Sequence, residues 1–297
     1  MNDYIKYLQP ETIAKLKNIE LKARLVVEGF ITGLHRSPYH GFSVEFAEHR
    51  QYRTGDEIRH IDWKVFGRTN KYYVKQFEEE TNLRSIIALD SSASMNFKSG
   101  GYITKFEYAS YLAAALAYLM IKQRDAVGLA LYDKEVNSYL PARSRQSQIR
   151  EILKMLEMAS PKSDTHTASA LDILAEKIKK RGLVIVISDF FDDPVSVLNA
   201  LSHFRHSKSE VLAFQILDPR EIDFKFGDGA NFKDMETGEE MITQPYHIQN
   251  SYSHAVNDFL GHIKRECFNR QIDYTLIDTS MSFDKALTAY LGKREKM

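Results

Sequence analysis

From residue 84 onward the chain alternates short apolar segments with longer amphipathic ones, and this alternation limits the possible folds more than any other feature. Near-continuous apolar runs are typical of strands buried on both faces, and helix-length segments between them are typical of crossovers in a parallel sheet. Strands are predicted at residues 85–89, 126–132, 136–140, 183–187, 211–217 and 272–277. The pattern therefore predicts an α/β fold with an open, mostly parallel six-stranded sheet and helices on both faces.

The segments between these strands carry helical periodicity and turn signals. Helices are predicted at residues 105–122, 146–158, 167–180, 194–205, 251–267 and 283–291. Asp133-Lys134 separates the second and third strands by a turn only, so these two strands form a hairpin that interrupts the alternation. A second, protruding hairpin is predicted within residues 220–250, where Gly227-Asp228-Gly229 and Thr237-Gly238 are turn signals.

The part of the chain before residue 84 has a different character. A length of 297 residues exceeds the usual size of one domain, so a second unit is expected. Residues 10–34 have the spacing of one or two amphipathic helices, and residues 43–48 and 72–77 alternate like strands. We therefore predict a small N-terminal α+β unit at residues 1–83 and the sheet domain at residues 84–297.

Polar residues follow two of the predicted parallel strands. Asp90, Ser92 and Ser94 come directly after the first strand, at the sheet edge where open α/β folds bind ligands. One carboxylate and alternate hydroxyls offer the hard oxygen ligands that Mg²⁺ prefers. Thr165 precedes a predicted helix and Asp189 follows the strand at 183–187, so both belong to the same edge. The five residues predict a site for Mg²⁺ or Mn²⁺ with one coordination position open for a partner's carboxylate.

The segment Asp90-x-Ser92-x-Ser94 has a second interpretation. Asp and Ser are also preferred in turns and at the first positions of helices, whatever their function. On its own the segment fits a helix cap as well as a metal site. Thr165 and Asp189, at the appropriate strand ends, favour the metal site.

A charged and aromatic segment lies ahead of the sheet domain. Arginine side chains pair bidentately with carboxylates, which favours a network that holds the N-terminal unit against the sheet. A direct binding role for the segment is the alternative, and Trp63 is expected to anchor a core. The residues of this network are Arg50, Asp56, Arg59, Asp62 and Arg68.

Together these motifs resemble the bacterial domain-of-unknown-function 58 family, which carries a von Willebrand factor A-like domain. The resemblance rests on Gly41-Phe42-Ser43, Arg50-x-Tyr52-x-x-Gly55-Asp56-x-x-Arg59-x-Ile61-Asp62-Trp63, Asp90-Ser91-Ser92-Ala93-Ser94-Met95 and Phe232-x-Asp234-x-Glu236-Thr237-Gly238-Glu239. It implies a metal-ion-dependent adhesion site at Asp90, Ser92, Ser94, Thr165 and Asp189. It also implies a MoxR-type AAA+ ATPase partner, beside which the protein acts as an adaptor in assembly, remodelling or metal loading of a client complex. The chain departs from the family at Ser163-Asp164-Thr165, where relatives often have two glycines before the threonine.

Composition and missing motifs narrow the remaining function classes. The chain has 40 basic and 40 acidic side chains, so no overall positive field favours nucleic acid. Cys267 is the only cysteine, which favours a reducing compartment, and we expect a cytoplasmic protein. No apolar run approaches the roughly 20 residues needed to span a bilayer.

An enzyme is the main alternative to a binding module. A Mg²⁺-dependent phosphohydrolase would also place carboxylates at strand ends beside a metal. The segment after Asp90, however, offers Ser92 where a second carboxylate would be needed, and no phosphate-binding loop or nucleophile elbow occurs. The sequence therefore favours a non-catalytic protein-interaction module.

Overall fold

A computed structural model describes residues 9–34, 49–51, 63–75, 83–100, 103–161, 167–226, 230–233 and 240–294 of the chain. The chain forms two compact units, one of residues 1–36 with 83–297 and one of residues 37–82. The predicted boundary near residue 83 matches the start of the second segment of the large unit. Residues 1–36 were assigned to the small unit, and this assignment is wrong because they group with the sheet.

The helices and strands follow the predicted alternation closely. The described helices are α1 (Pro10–Ala14), α2 (Ile19–Leu34), α3 (Trp63–Thr69), α4 (Lys105–Lys122), α5 (Ser147–Met158), α6 (Thr167–Lys177), α7 (Pro194–His206), α8 (Pro219–Asp223), α9 (Pro245–Asn269) and α10 (Asp284–Arg294). The described strands are β1 (His49–Gln51), β2 (Tyr73–Lys75), β3 (Arg84–Asp90), β4 (Ala126–Tyr132), β5 (Val136–Arg143), β6 (Leu183–Ser188), β7 (Glu210–Leu217), β8 (Ala230–Lys233), β9 (Glu240–Thr243) and β10 (Asp273–Asp278).

Six strands form the sheet of the large unit in the order β10-β7-β6-β3-β4-β5. All neighbours are parallel except β4 and β5, which form the predicted antiparallel hairpin. The predicted six-stranded, mostly parallel α/β architecture is therefore confirmed. From β3 the chain crosses to β4 on one side, whereas from β6 it crosses to β7 on the other. The strand order thus reverses between β3 and β6, and open α/β sheets bind ligands at the carboxyl ends of such a switch point.

Helices cover both faces of this sheet because its central strands are apolar on both faces. Side chains such as Ala88 and Val186 point to one face and share a buried cluster with residues of α6, α7 and α9. Helix α4 packs against β3 and β4, and both α2 and α5 pack against α4. Helix α4 is alanine-rich and buried almost all round, so it needs a covering layer on its outer side as well. Helix α2 supplies that layer, which is the physical reason that residues 1–36 belong to the large unit.

Local differences from the predicted elements have simple causes. Helix α9 begins at Pro245, six residues before the predicted start at 251, because proline favours the first turn of a helix. The polar residues that follow Pro245 hide the helical periodicity of this first turn. The short helix α8 was not predicted at all. The predicted hairpin within 220–250 is confirmed, since β8 and β9 pair antiparallel from Ala230 with Thr243 onward.

In the unit of residues 37–82, β1 pairs antiparallel with β2, and Phe66 stacks on Tyr72 with ring centres 4.5 Å apart. Trp63 is 57% exposed and contacts Phe66 edge-on, so the expectation that it anchors a core is wrong. Asp56, Arg59 and Asp62 lie outside the described residues, and the predicted ion-pair network stays a prediction.

Among the described residues, no helix is both long and apolar enough to cross a membrane.

Candidate metal-binding site

Asp90 ends the central strand β3 at the switch point and is fully buried. The backbone N–H of Ser92 donates to Asp90 Oδ1 at 2.9 Å, and the Ser188 hydroxyl donates to Oδ2 at 2.6 Å. Ser188 ends the neighbouring strand β6, so two strand ends meet at this carboxylate. Sequence reasoning missed Ser188, although its place directly before Asp189 was a usable signal.

Ser92 and Ser94 lie together beside Asp90. Their hydroxyl oxygens are 3.1 Å apart, with Ser92 fully buried and Ser94 half-buried. Ser92 precedes a single 3-10 turn, Ala93–Asn96, but its side chain makes no capping hydrogen bond to that turn. The alternative interpretation of Ser92 as a helix cap is therefore not supported by its contacts.

Asp189 follows β6 and is also fully buried. Its Oδ1 accepts the backbone N–H of Phe191 at 3.2 Å, and its Oδ2 accepts the Lys105 ammonium at 2.7 Å. The Gln215 amide donates to the Asp189 carbonyl oxygen at 2.6 Å and holds the loop against β7. Asp189 directly follows Ser188, whose hydroxyl donates to Asp90, and the negative charge of Asp189 raises the pKa of that carboxyl. The predicted meeting of Asp90, Ser92, Ser94 and Asp189 at one sheet edge agrees with this geometry.

Lys105 is a residue of this cluster that sequence reasoning did not find. It is the first residue of α4, and its ammonium also donates to Glu221 Oε1 of α8 at 2.6 Å. A cation at the N-terminus of a helix opposes the helix macrodipole. A lysine at the first position of a largely apolar helix therefore indicates that acidic side chains from other elements pair with it.

Burial and mutual repulsion set the protonation behaviour of the cluster. Burial, and then the negative charge of Asp189, raises the pKa of Asp90 to about 7. Burial alone would lower the pKa of Lys105, but Asp189 and Glu221 together raise it above the ordinary lysine value. Burial raises the pKa of Glu221, although the Lys105 ammonium opposes that shift. Asp189 and Glu221 thus share the Lys105 ammonium, and a cation bound at Asp90 would favour the ionised form of that carboxyl.

The donors suit a hard divalent cation. The carboxylates of Asp90 and Asp189 and the hydroxyls of Ser92 and Ser94 are the oxygen ligands that Mg²⁺ and Mn²⁺ accept. The Tyr132 hydroxyl is buried next to this set, close to Ser188 and under the charge of Asp90. It is a polar atom that could contact a water molecule of a hydrated ion. One oxygen of Asp189 is already paired with Lys105, so an ion would have to share or displace that contact.

Thr165, the fifth predicted ligand, is one of residues 162–166, which lie outside the described residues. The helix that this loop precedes begins at Thr167, the predicted position. The assignment of Thr165 stays a prediction.

The rim of the cluster is aromatic. The Lys105 ammonium lies 5.3 Å from the ring centre of Phe191 and 5.9 Å from that of Phe97. Phe191 is 39% exposed and also contacts Phe259 of α9, with ring centres 5.7 Å apart. The buried polar cluster thus has an exposed apolar side chain at its edge.

The fold and this cluster define an α/β protein with an oxygen-rich site at the switch point of its sheet. Residues 48–258 match the family described as Protein of unknown function DUF58. An uncharacterized protein of Mycobacterium tuberculosis strain H37Rv is 30% identical over 234 residues, which are 77% of this chain and 72% of the relative. An uncharacterized protein of Mycobacterium bovis matches to the same extent. The chain belongs to the DUF58 family.

A solved structure shows the same fold. The conserved hypothetical protein BatB from Bacteroides thetaiotaomicron is 19% identical, covers 72% of this chain and 100% of its own, and superposes with a TM-score of 0.50. At this level of identity the likeness concerns the fold alone.

Proposed function

We propose that this protein is a divalent-cation-dependent protein-interaction module that does not itself catalyse a reaction. The observation that carries the proposal is the meeting of Asp90, Ser92, Ser94 and Asp189 at the switch point of the sheet. Asp90, Asp189 and the two serines would hold Mg²⁺ or Mn²⁺, with Thr165 as a further ligand. The bound ion supplies a positive charge with an open position for a carboxylate of a partner protein.

The surface next to the cluster suits a protein partner. Phe191 offers an apolar contact at the rim, and half-buried Ser94 is the most accessible of the described ligands. An acidic side chain of the partner would reach the ion while neighbouring residues contact Phe191.

We further propose that the partner is a MoxR-type AAA+ ATPase, for which this protein serves as an adaptor during assembly, remodelling or metal loading of a client complex. The support is the membership of the DUF58 family, whose resemblance implies such a partner, together with the proposed cation site and its open coordination position. Such an adaptor needs no chemistry of its own.

Calorimetric titration of Mg²⁺ and Mn²⁺ into the full chain tests the cation site. We expect saturable binding to the wild type and its loss in Asp90→Asn and in Ser92→Ala with Ser94→Ala. The matched control is Asp192→Asn, because Asp192 follows Asp189 by three residues in the same loop and its Oδ1 accepts the Asp193 N–H rather than a contact within the cluster. Equal binding by all of these variants would contradict the site.

Pull-down of a purified MoxR-type ATPase, with Mg²⁺ or with a chelator, tests the partner. Retention that requires both the cation and Asp90 is the expected result. A divalent-dependent phosphatase activity of the purified chain, lost in Asp90→Asn, would favour the phosphohydrolase instead.

A further inference from the structure

We propose that Lys105 is a tethered cation that competes with the divalent ion for Asp189 and that Glu221 is its alternative partner. The inference rests on the proposed cation site and concerns its regulation. In this inference, the position of the Lys105 ammonium between two carboxylates controls how readily the divalent ion binds.

The contacts of Lys105 place it inside the site. Its Nζ lies 2.7 Å from Asp189 Oδ2 and 2.6 Å from Glu221 Oε1, and the Lys105 and Asp189 side chains are entirely buried. Separating a buried ion pair leaves an uncompensated buried charge, which is costly, so Lys105 neutralises Asp189 whenever no other cation does so.

A divalent ion on Asp189 would be close to the Lys105 ammonium. Like charges at contact distance repel strongly in a poorly solvated space. The two cations therefore oppose each other, and an ion gains full access to Asp189 when the ammonium leaves it.

Glu221 is placed to receive the ammonium. Its Oε2 accepts the backbone N–H of Asp218 at 2.8 Å, in the capping box that starts α8, while its Oε1 faces Lys105. The carboxylate is thus oriented by its own helix and needs no rearrangement to hold Lys105 alone. A short shift of one flexible side chain breaks the ion pair with Asp189 and keeps the ion pair with Glu221.

A double-mutant cycle with Mg²⁺ titration of the full chain tests the inference. We expect Lys105→Met to bind Mg²⁺ about tenfold more tightly than the wild type, in the range typical of coupled sites. Glu221→Gln keeps an oxygen for the Asp218 N–H but removes the alternative partner, so it should weaken binding by about fivefold. In the Lys105→Met background, Glu221→Gln should change the Mg²⁺ affinity by less than about twofold, because Glu221 acts on the ion through Lys105.

Lys122→Met is the matched control, since Lys122 is an exposed lysine at the opposite end of the same helix. Circular dichroism establishes that each variant is folded. If Lys105→Met leaves two unpaired carboxylates and unfolds, the double variant Lys105→Met with Glu221→Gln carries the comparison and should still bind more tightly than the wild type.

The outcomes separate the two proposals. Equal affinity of the wild type and Lys105→Met, or an undiminished Glu221 effect without Lys105, overturns the competition but leaves the cation site standing. Absence of binding in every variant overturns the cation site, and the competition with it.

Discussion

The negative charge of an ionised Asp90 is unfavourable in the folded chain. Both of its oxygens accept hydrogen bonds, but the side chain has no contact with water and lies near the charge of Asp189. The pKa of Asp90 near 7 means that the folded chain keeps this proton at pH values where the unfolded chain has lost it. Folding therefore becomes less favourable as the pH rises through that interval.

Stability measured without divalent cations should show this effect. We expect the Asp90 contribution to the free energy of unfolding to fall by roughly 1 kcal/mol per pH unit between about pH 4 and pH 7. Urea denaturation of the wild type and of Asp90→Asn across that interval measures it, because the difference between the two isolates this carboxyl. A constant difference from pH 4 to pH 7 would show that folding does not raise the pKa of Asp90.

At the scale of elements, the antiparallel hairpin of β4 and β5 depends on one close approach. A Cβ atom at Gly128 would lie 2.4 Å from the Leu140 carbonyl oxygen and 2.7 Å from Ile86 Cδ1. The pairing of β4 with β5 shifts register between Val127 and Leu129, so the two backbones meet closely at this glycine. Strand β5 therefore joins the sheet edge only because residue 128 has no side chain.

Gly128→Ala should destabilise the protein by at least about 1–3 kcal/mol, since backbone and neighbouring side chains must move. Gly292→Ala is the matched control, because nothing lies within 4 Å of its Cβ position in α10 and alanine favours a helix. That control should stabilise by about 0.5–1 kcal/mol. Thermal melting of both variants checks that one substitution lowers the stability and the other raises it. An unchanged melting temperature of Gly128→Ala would mean that β5 lies farther from β4.

At the scale of the whole molecule, the first helices are part of the sheet unit. Ala23, Val26, Val27 and Phe30 of α2 are buried, and α2 packs along α4, whose opposite side packs on β3 and β4. The core of the large unit thus extends through three layers from the sheet to α2. Helix α2 therefore contributes to the stability of the element that carries Lys105.

Phe30→Ala should lower the stability of the entire large unit by about 3–5 kcal/mol, because it leaves a cavity at a buried position of α2. Leu21→Ala, on the 39% exposed side chain of the same helix, should change it by only about 0.5 kcal/mol. Urea unfolding followed by circular dichroism measures both. A separate early transition in Phe30→Ala would instead indicate that α2 unfolds independently of the sheet.

The sequence by itself determined the alternation of strands and helices, the β4–β5 hairpin and the strand-end positions of Asp90 and Asp189. These features depend on local periodicity, which reports how each segment is buried. Only the tertiary structure decided that Ser188, Lys105 and Glu221 surround the two carboxylates, that α2 covers α4, and that Trp63 is exposed. Lys105 and Glu221 are 116 residues apart, and their contact depends on strand order and on the electrostatics of a shared buried space. Local periodicity describes each segment without its neighbours, so it cannot report the strand order or the charges that share a buried space.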